Sequence, residues 1–282
     1  MVVLQNASLT VTIDPLGAEL TSVRKDQAEY LWQGDPRWWA GRAPVLFPIC
    51  GGLKNDQYTW QGKSYTLEKH GFASRKRFAV EAQTAERATF LLRDDEETRR
   101  SYPFAFALRV TYTLCGDALE VRYAVSGPAD APLYFSIGAH EAYACPEGVS
   151  AYEIVFEQPE TLRSTVVTGP LLAHESVAVA TDGAVLALRD AYFTVDALVF
   201  EQLRSRSLTL RHRATGRGVR VDYPGFDALL LWTKPGAPFL CVEPWCGLPD
   251  FVDADGPLCG KPRILRAEPG QTVEKLHRFT LL

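Results

Sequence analysis

The chain of 282 residues is long enough to bury a substantial core, and its charged fraction of 23% is ordinary for a globular protein. Its formal net charge of −4 excludes a global field that would attract nucleic acid or anionic membranes. No apolar run approaches the ~20 residues of a membrane-spanning helix. The N-terminus lacks the basic and apolar regions of a signal peptide, so we expect a cytoplasmic protein.

The predicted elements are mostly strands, because apolar and polar residues alternate along much of the chain. Three pairs of alternating runs flank short glycine turns and predict antiparallel hairpins over residues 58–67, 106–125 and 207–225. Single strands are predicted at 8–13, 88–92, 133–137 and 272–281. In the DEETRRSY region of residues 95–102, the acidic run Asp94–Glu97 predicts a turn of helix. No repeat, linker or change of composition divides the chain, so we predict one all-β domain over residues 1–282, a large antiparallel β-sandwich.

The six cysteines are widely spaced and form no C-x-x-C pair. A chain of this size does not depend on disulfides for its stability. We therefore expect reduced thiols, with Cys50 and Cys241 buried, and no metal bound by cysteine.

Three segments place a group capable of acid–base chemistry beside apolar strand residues. They are EKHGFAS with His70, YFSIGAHEAYACP with His140, and APFLCVEPWCG with Glu243. A carboxylate is costly to bury without a partner, and proline removes a ladder donor. We therefore expect the strand to end at Pro244 and Glu243 to lie at an edge or bulge, where a catalytic role is favoured over a structural one.

The aromatic and histidine residues around these segments allow more than one interpretation. Trp232 and Trp245 are either ordinary core or rings that pack on sugar faces. The other histidines, in polar or alternating contexts, are predicted to be surface residues: His174, His212 and His277. Two histidines and a glutamate suit either a zinc site or metal-free acid–base catalysis. The helical H-E-x-x-H pattern of zinc peptidases is absent, which favours catalysis without metal.

Four segments in this order resemble the aldose 1-epimerase (galactose mutarotase-like) family: RAPVLFPICGGLKNDQY, EKHGFAS, IGAHEAYACP and LWTKPGAPFLCVEPWCG. The resemblance implies a galactose mutarotase-like β-sandwich that interconverts the α and β anomers of a hexose-type monosaccharide without a cofactor or metal. In that mechanism Glu243 matches the base, His140 the acid that protonates the ring oxygen, and His70 a second histidine that orients the sugar. A monomer or homodimer is expected, with no nucleic acid or membrane partner.

The sequence departs from the family pattern at two places. Gly52 and Ser74 stand where related sequences carry arginines, and two guanidinium groups that could hold sugar hydroxyls are therefore missing. Arg75, Lys54 or Arg42 are predicted to compensate. The departures also motivate an alternative function, a catalytically weak carbohydrate-binding or regulatory protein of the same fold. A metal hydrolase that uses the same three residues is the third hypothesis.

Overall fold

Antiparallel strands make up most of the computed structural model, which describes the backbone of residues 1–282 and the side chains of residues 1–180 and 183–282. The first half contains β1 (Val2–Gln5), β2 (Leu9–Asp14), β3 (Glu19–Lys25), β4 (Ala28–Glu29), β5 (Gln57–Trp60), β6 (Lys63–Thr66), β7 (Ala79–Gln83), β8 (Arg87–Arg93), α1 (Glu96–Ser101), β9 (Ala107–Cys115), β10 (Ala118–Ser126), β11 (Leu133–Phe135), β12 (Ile137–Gly138) and β13 (Glu141–Ala144). The second half contains β14 (Tyr152–Thr168), β15 (Leu171–Ala187), β16 (Leu198–Phe200), β17 (Ser207–His212), β18 (Gly218–Asp222), β19 (Ala228–Trp232), β20 (Phe239–Cys246), β21 (Leu265–Ala267) and β22 (Thr272–Leu281). Short 3-10 turns occur at Lys54–Asp56, Ala73–Arg75, Val149–Ala151, Asp190–Phe193 and Leu258–Gly260.

The strands form one 14-stranded sheet and three smaller ones. The large sheet has the order β12-β20-β19-β16-β14-β17-β18-β22-β10-β9-β8-β7, with β13 on β20 and β15 on β14. A four-stranded meander of β1 to β4 packs against it, and the Tyr112 hydroxyl of β9 donates to the Ala18 carbonyl at 2.7 Å. The predicted all-β sandwich is confirmed. That it forms a single domain stays a prediction.

The hairpin of β9 and β10 shows why the alternating pattern predicted the fold. Leu108, Val110 and Leu114 are buried and join the main core cluster with Val121 of β10. Burial of one face of a strand pair fixes its register, because a shift by one residue would expose every apolar side chain. The predicted helix is α1, whose first turn is capped by the Asp95 side chain through the Thr98 N–H at 2.7 Å.

The course of β20 differs from the prediction, because the strand does not end at Pro244. It continues to Cys246, pairs with β19 from Cys241 to Trp245, and all eight of its residues are buried. On its other edge, Pro244 accepts the Ala139 N–H at 3.2 Å, so its ring nitrogen faces the interval between β12 and β13. The missing donor therefore interrupts one ladder only, and Glu243 lies inside the sheet rather than at its edge.

A long hairpin of β14 and β15 was not predicted from the sequence. Each strand has 17 residues, and their pairing contains several register shifts. The residues between the strands, Gly169 and Pro170, form a tip whose Pro170 lies against Gly52. Among the described residues, no helix combines the length and the apolar character needed to cross a bilayer.

Candidate active site

A cavity of about 450 Å³ lies over the face of the large sheet at β19 and β20. Its floor comes from the sheet, its wall from the hairpin tip, and its rim from loops around Trp39 and Lys69. The residues that line it include Trp39, Lys69, His70, Ser74, Arg75, His140, Pro170, Asp196, Trp232, Lys234, Glu243 and Trp245. The three residues predicted to be catalytic therefore border one cavity.

His140 and Glu243 meet because of strand register. The pairs Gly138↔Trp245 and Glu141↔Val242 flank them, so the same register places His140 opposite Glu243. Directly opposed residues of antiparallel strands carry their side chains close together on one face. Here Nε2 of His140 lies 3.2 Å from Oε2 of Glu243, and their side chains are 10% and 2% exposed.

Burial dominates the protonation of this pair. It raises the pKa of Glu243 well above its usual value, and nearby Asp196 adds to the shift while Lys69 opposes it. Burial likewise lowers the pKa of His140 to about 3. At 3.2 Å an imidazolium and a carboxylate would stabilise one another, which opposes both shifts. Whether burial or the ion pair dominates, the two groups hold one proton between them. Coupled acid–base chemistry needs one group that can give a proton and one that can accept it.

His70 has a fixed hydrogen-bonding role. Its ring Nδ1 accepts the Gly51 N–H at 3.1 Å, and its backbone N–H donates to the Gly51 carbonyl at 3.0 Å. Its backbone φ is +68°, a conformation that few residues with side chains adopt. Burial, with His140 and Lys69 nearby, lowers the pKa of His70 well below its usual value. Because Nδ1 accepts, the proton of the neutral ring lies on Nε2, which is a donor.

Aromatic rings enclose the acid–base groups. Trp39 stacks on the His140 imidazole with ring centroids 5.0 Å apart, and Trp232 meets the same imidazole edge-on at 5.9 Å. The indole N–H of Trp245 donates to the Ala139 carbonyl at 3.0 Å. That carbonyl faces Pro244, which has no N–H to offer it. The indole of Trp245 therefore takes the acceptor that a backbone N–H at position 244 would otherwise use, and this bond orients the ring in the cavity wall.

The predicted substrate-binding residues fall into two groups. Arg75, Trp232 and Trp245 line the cavity, and the Arg75 guanidinium also pairs with Glu68 at 2.8 Å. Lys54 and Arg42 do not line it, so their predicted place at the sugar site is wrong. The Lys54 ammonium instead donates to the Ala254 carbonyl at 3.2 Å. The Arg42 guanidinium lies against Gly34, and its Nε is buried without a hydrogen-bond partner among the described residues.

Sequence reasoning missed Trp39, Lys69, Lys234 and Asp196, which all line the cavity. The Trp38-Trp39 pair just before the first family-like segment was the one available signal, since two adjacent tryptophans are uncommon in a sequence. Lysine and aspartate in loops carry no such signal. Their place in the site depends on loop paths that alternation does not encode.

The two positions without arginine have different surroundings. Ser74 lines the cavity, whereas Gly52 is covered by the hairpin tip. A Cβ at Gly52 would lie 2.7 Å from the Pro170 carbonyl oxygen, which is closer than real Cβ contacts. Any side chain at position 52 therefore requires the tip to move. Glycine at this position allows the hairpin to form one wall of the cavity.

A second buried pair lies behind that of His140 and Glu243. Glu141, next to His140, points to the opposite face of β13, where its Oε1 lies 3.0 Å from Nε2 of His277. The prediction that His277 is a surface residue is wrong, because the side chain is fully buried. Alternation along the last strand was interpreted as placing His277 on an exposed face, but Glu141 packs against that face. His174 has a 62% exposed side chain and His212 a 12% exposed one.

Metal-ligating atoms also come together here, in a different set from the one predicted. Within the part of the chain whose side chains are described, His140, Cys241 and Glu243 offer ligand atoms that all lie within 4.8 Å of one another. His70 does not belong to this group. Cys50 and Cys241 are buried free thiols, as predicted.

Comparison with known proteins shows the family of the chain. A family model described as aldose 1-epimerase matches residues 1–272. The chain belongs to the aldose 1-epimerase family. It is 36% identical to the chromosomal protein LacX of Lactococcus lactis subsp. lactis, over 99% of this chain and 98% of that protein.

Two solved structures also resemble this member of the aldose 1-epimerase family. One is a galactose mutarotase related enzyme from Lactobacillus acidophilus, with a TM-score of 0.94, 34% identity, and coverage of 100% of this chain and 97% of that one. The other is a galactose mutarotase-like protein from Lactobacillus casei, with a TM-score of 0.94, 26% identity and full coverage of both chains. The protein is therefore an isomerase of the epimerase type, and a sugar substrate is consistent with its family.

Proposed function

We propose that the protein interconverts the α and β anomers of a hexose-type aldose by general acid–base catalysis, with no metal ion in the reaction. The observation that carries this proposal is the 3.2 Å contact between His140 and Glu243 in the floor of a cavity that His70 also lines. Two groups that share one proton, placed at one sugar ring, can remove a proton at one oxygen and supply one at the other.

The reaction follows from the proton balance of the pair. The Glu243 carboxylate takes the proton of the anomeric hydroxyl while His140 gives its proton to the ring oxygen. The bond between C1 and the ring oxygen breaks, and C1 becomes an aldehyde carbon. Rotation about C1–C2 presents the other carbonyl face, and the same transfers in reverse close the ring. No proton is gained or lost overall, so the pair is ready for another turnover in either direction.

His70 and the tryptophans bind and orient the sugar in this proposal. The Nε2–H of His70 donates to a sugar oxygen, because its Nδ1 is engaged by the Gly51 N–H at 3.1 Å. The faces of Trp232 and Trp245 pack on the C–H face of the ring. Arg75, Lys69 and Lys234 offer the cationic donors at the rim, in place of the arginines expected at positions 52 and 74.

The test is Glu243→Gln, which keeps the shape of the side chain and removes the proton acceptor. Loss of one positioned base should slow catalysed mutarotation by about 10²–10⁴-fold. Exchange between anomers is measured by NMR or polarimetry on a panel of pure hexose anomers. Glu274→Gln, at an exposed pair with Arg122, is the matched control and should keep wild-type activity. Full activity in Glu243→Gln would defeat the assignment.

Binding without useful turnover is the second candidate function. It is favoured by the contact of Pro170 with Gly52, because the hairpin tip covers the position where an arginine is expected. Saturable binding of a sugar by the wild-type protein, with no acceleration of anomer exchange over buffer, would support this function against the first.

A further inference from the structure

Cys241 is a buried nucleophile that the proposed reaction does not use. It lies two residues before Glu243 on β20, so both side chains project from the same face of the strand. His140 lies on the neighbouring strand edge, opposite Glu243. Cys241, Glu243 and His140 are 0%, 2% and 8% exposed, and one ligand atom from each lies within 4.8 Å of the other two.

This arrangement is close to that of a tetrahedral zinc site with one open position. Zinc takes sulfur at about 2.3 Å and nitrogen or oxygen at about 2.0–2.2 Å, which brings ligand atoms to about 3.3–3.6 Å of one another. The contact of His140 with Glu243 is already 3.2 Å. Closing the remaining gaps requires side-chain shifts of on the order of 1 Å. The fourth position is left to the cavity, which His140 and Glu243 line.

The charges and lone pairs of the three residues also suit a divalent cation. A thiolate and a carboxylate supply two negative charges, which neutralise the ion in a buried place where net charge is costly. Nε2 of His140, 3.2 Å from Oε2 of Glu243, is the imidazole nitrogen placed to ligate the ion. Among the described residues, no hydrogen bond engages the thiol of Cys241.

We propose that His140, Cys241 and Glu243 bind a soft divalent cation of the Zn²⁺ type, and that the bound ion blocks sugar turnover. Binding exchanges the thiol proton and the proton shared by the pair for the metal, and both protons go to the buffer. The inhibition rests on the proposed function, because it removes the base and the acid of that reaction. The metal binding does not depend on it.

The first test uses Co²⁺ as a spectroscopic substitute for zinc on the full-length protein, prepared with chelator and then freed of it. One equivalent of Co²⁺ should produce a near-ultraviolet thiolate charge-transfer band, which one equivalent of Zn²⁺ removes. Cys241→Ser should abolish the band and weaken zinc binding on the order of 100-fold. Cys259→Ser, at an exposed thiol, and Cys246→Ser, at another buried one, should keep both. A band that survives in Cys241→Ser, or no stoichiometric binding by the wild type, overturns the inference.

The second test asks whether the ion competes with the sugar. Zn²⁺ should inhibit the wild type, a chelator should restore the rate, and Cys241→Ser should resist, each compared with its own metal-free rate. The two proposals can fail separately. Sugar turnover without a cobalt band would defeat the metal site alone, and a cobalt band without turnover would defeat the proposed function alone. Thermal unfolding of Cys241→Ser checks that the variant is folded.

Discussion

The buried pair of Glu141 and His277 should be strongly coupled in stability. Both side chains are less than 5% exposed, and their contact is 3.0 Å. His277 stacks on Tyr123 with ring centroids 5.8 Å apart, which makes phenylalanine a close substitute in shape. Methionine is similarly close to glutamate in length. The variants are therefore Glu141→Met, His277→Phe and the double substitution.

The magnitude follows from the cost of leaving one partner alone. Removing one member of a buried pair typically costs about 3–5 kcal/mol, whereas replacing both by apolar groups of similar volume is close to neutral. With about 2.1 cal/mol/K of unfolding entropy per residue, a chain of 282 residues loses about 0.6 kcal/mol of stability per kelvin. Each single variant should therefore unfold at a temperature about 5–8 °C lower, and the double variant should recover most of this loss.

The assay is reversible denaturant unfolding at pH 7, followed by tryptophan fluorescence and circular dichroism for all four proteins. The double-mutant cycle then gives the coupling energy of the pair. A double variant that loses as much stability as the two single variants combined would refute the reasoning. It would mean that the residues contribute through packing alone and that the 3.0 Å contact is not an energetic pair.

Three other outcomes follow from the site. Burial raises the folded-state pKa of Glu243, so the folded protein loses stability as the pH rises above the unfolded pKa of about 4.5. Glu243→Gln should therefore be more stable than the wild type at pH 7, by about 1.4 kcal/mol for each pH unit between the unfolded pKa and the folded one, counted up to pH 7. Equal stability of the two proteins in urea unfolding would argue against this. Gly52→Ala should displace the hairpin tip and raise KM, because its Cβ would lie 2.7 Å from the Pro170 carbonyl oxygen. Gly260→Ala, where a Cβ has no atom within 4 Å, is the control and should leave KM and sugar binding in calorimetry unchanged. Trp39→Leu removes the ring stacked at 5.0 Å on His140 and should lower kcat by about 2- to 13-fold, from about 0.5–1.5 kcal/mol of stacking; wild-type kcat with altered KM would assign the ring to sugar binding instead.

The fold could be predicted from the sequence where one face of a strand is buried and the other faces solvent. Residues 106–114 alternate for this reason, and they form β9 almost residue for residue. The same rule could not find β14, since its polar positions and Pro159 resemble a loop, and several register shifts bend its pairing with β15. Alternation also cannot say whether the second face is covered by another layer, which is why His277 was placed at the surface.

The candidate site was predictable where polar groups interrupt apolar strands. His140 and Glu243 stood out because such groups need a partner, and the structure supplies each as the partner of the other at 3.2 Å. Lys54 was wrongly placed because proximity in sequence to Gly52 does not set the direction of a side chain. Trp39 was missed because its contact with His140 joins distant parts of the chain.

Pro244 affects a side chain of the cavity wall as well as the pairing of its own strand. Because its nitrogen carries no hydrogen, the carbonyl of Ala139 is left for the indole of Trp245, which takes it at 3.0 Å. Any other amino acid here would offer the same oxygen a second donor, and a carbonyl oxygen can accept two. Because proline supplies no such donor, the acceptor is left to the indole, which orients one aromatic wall of the cavity.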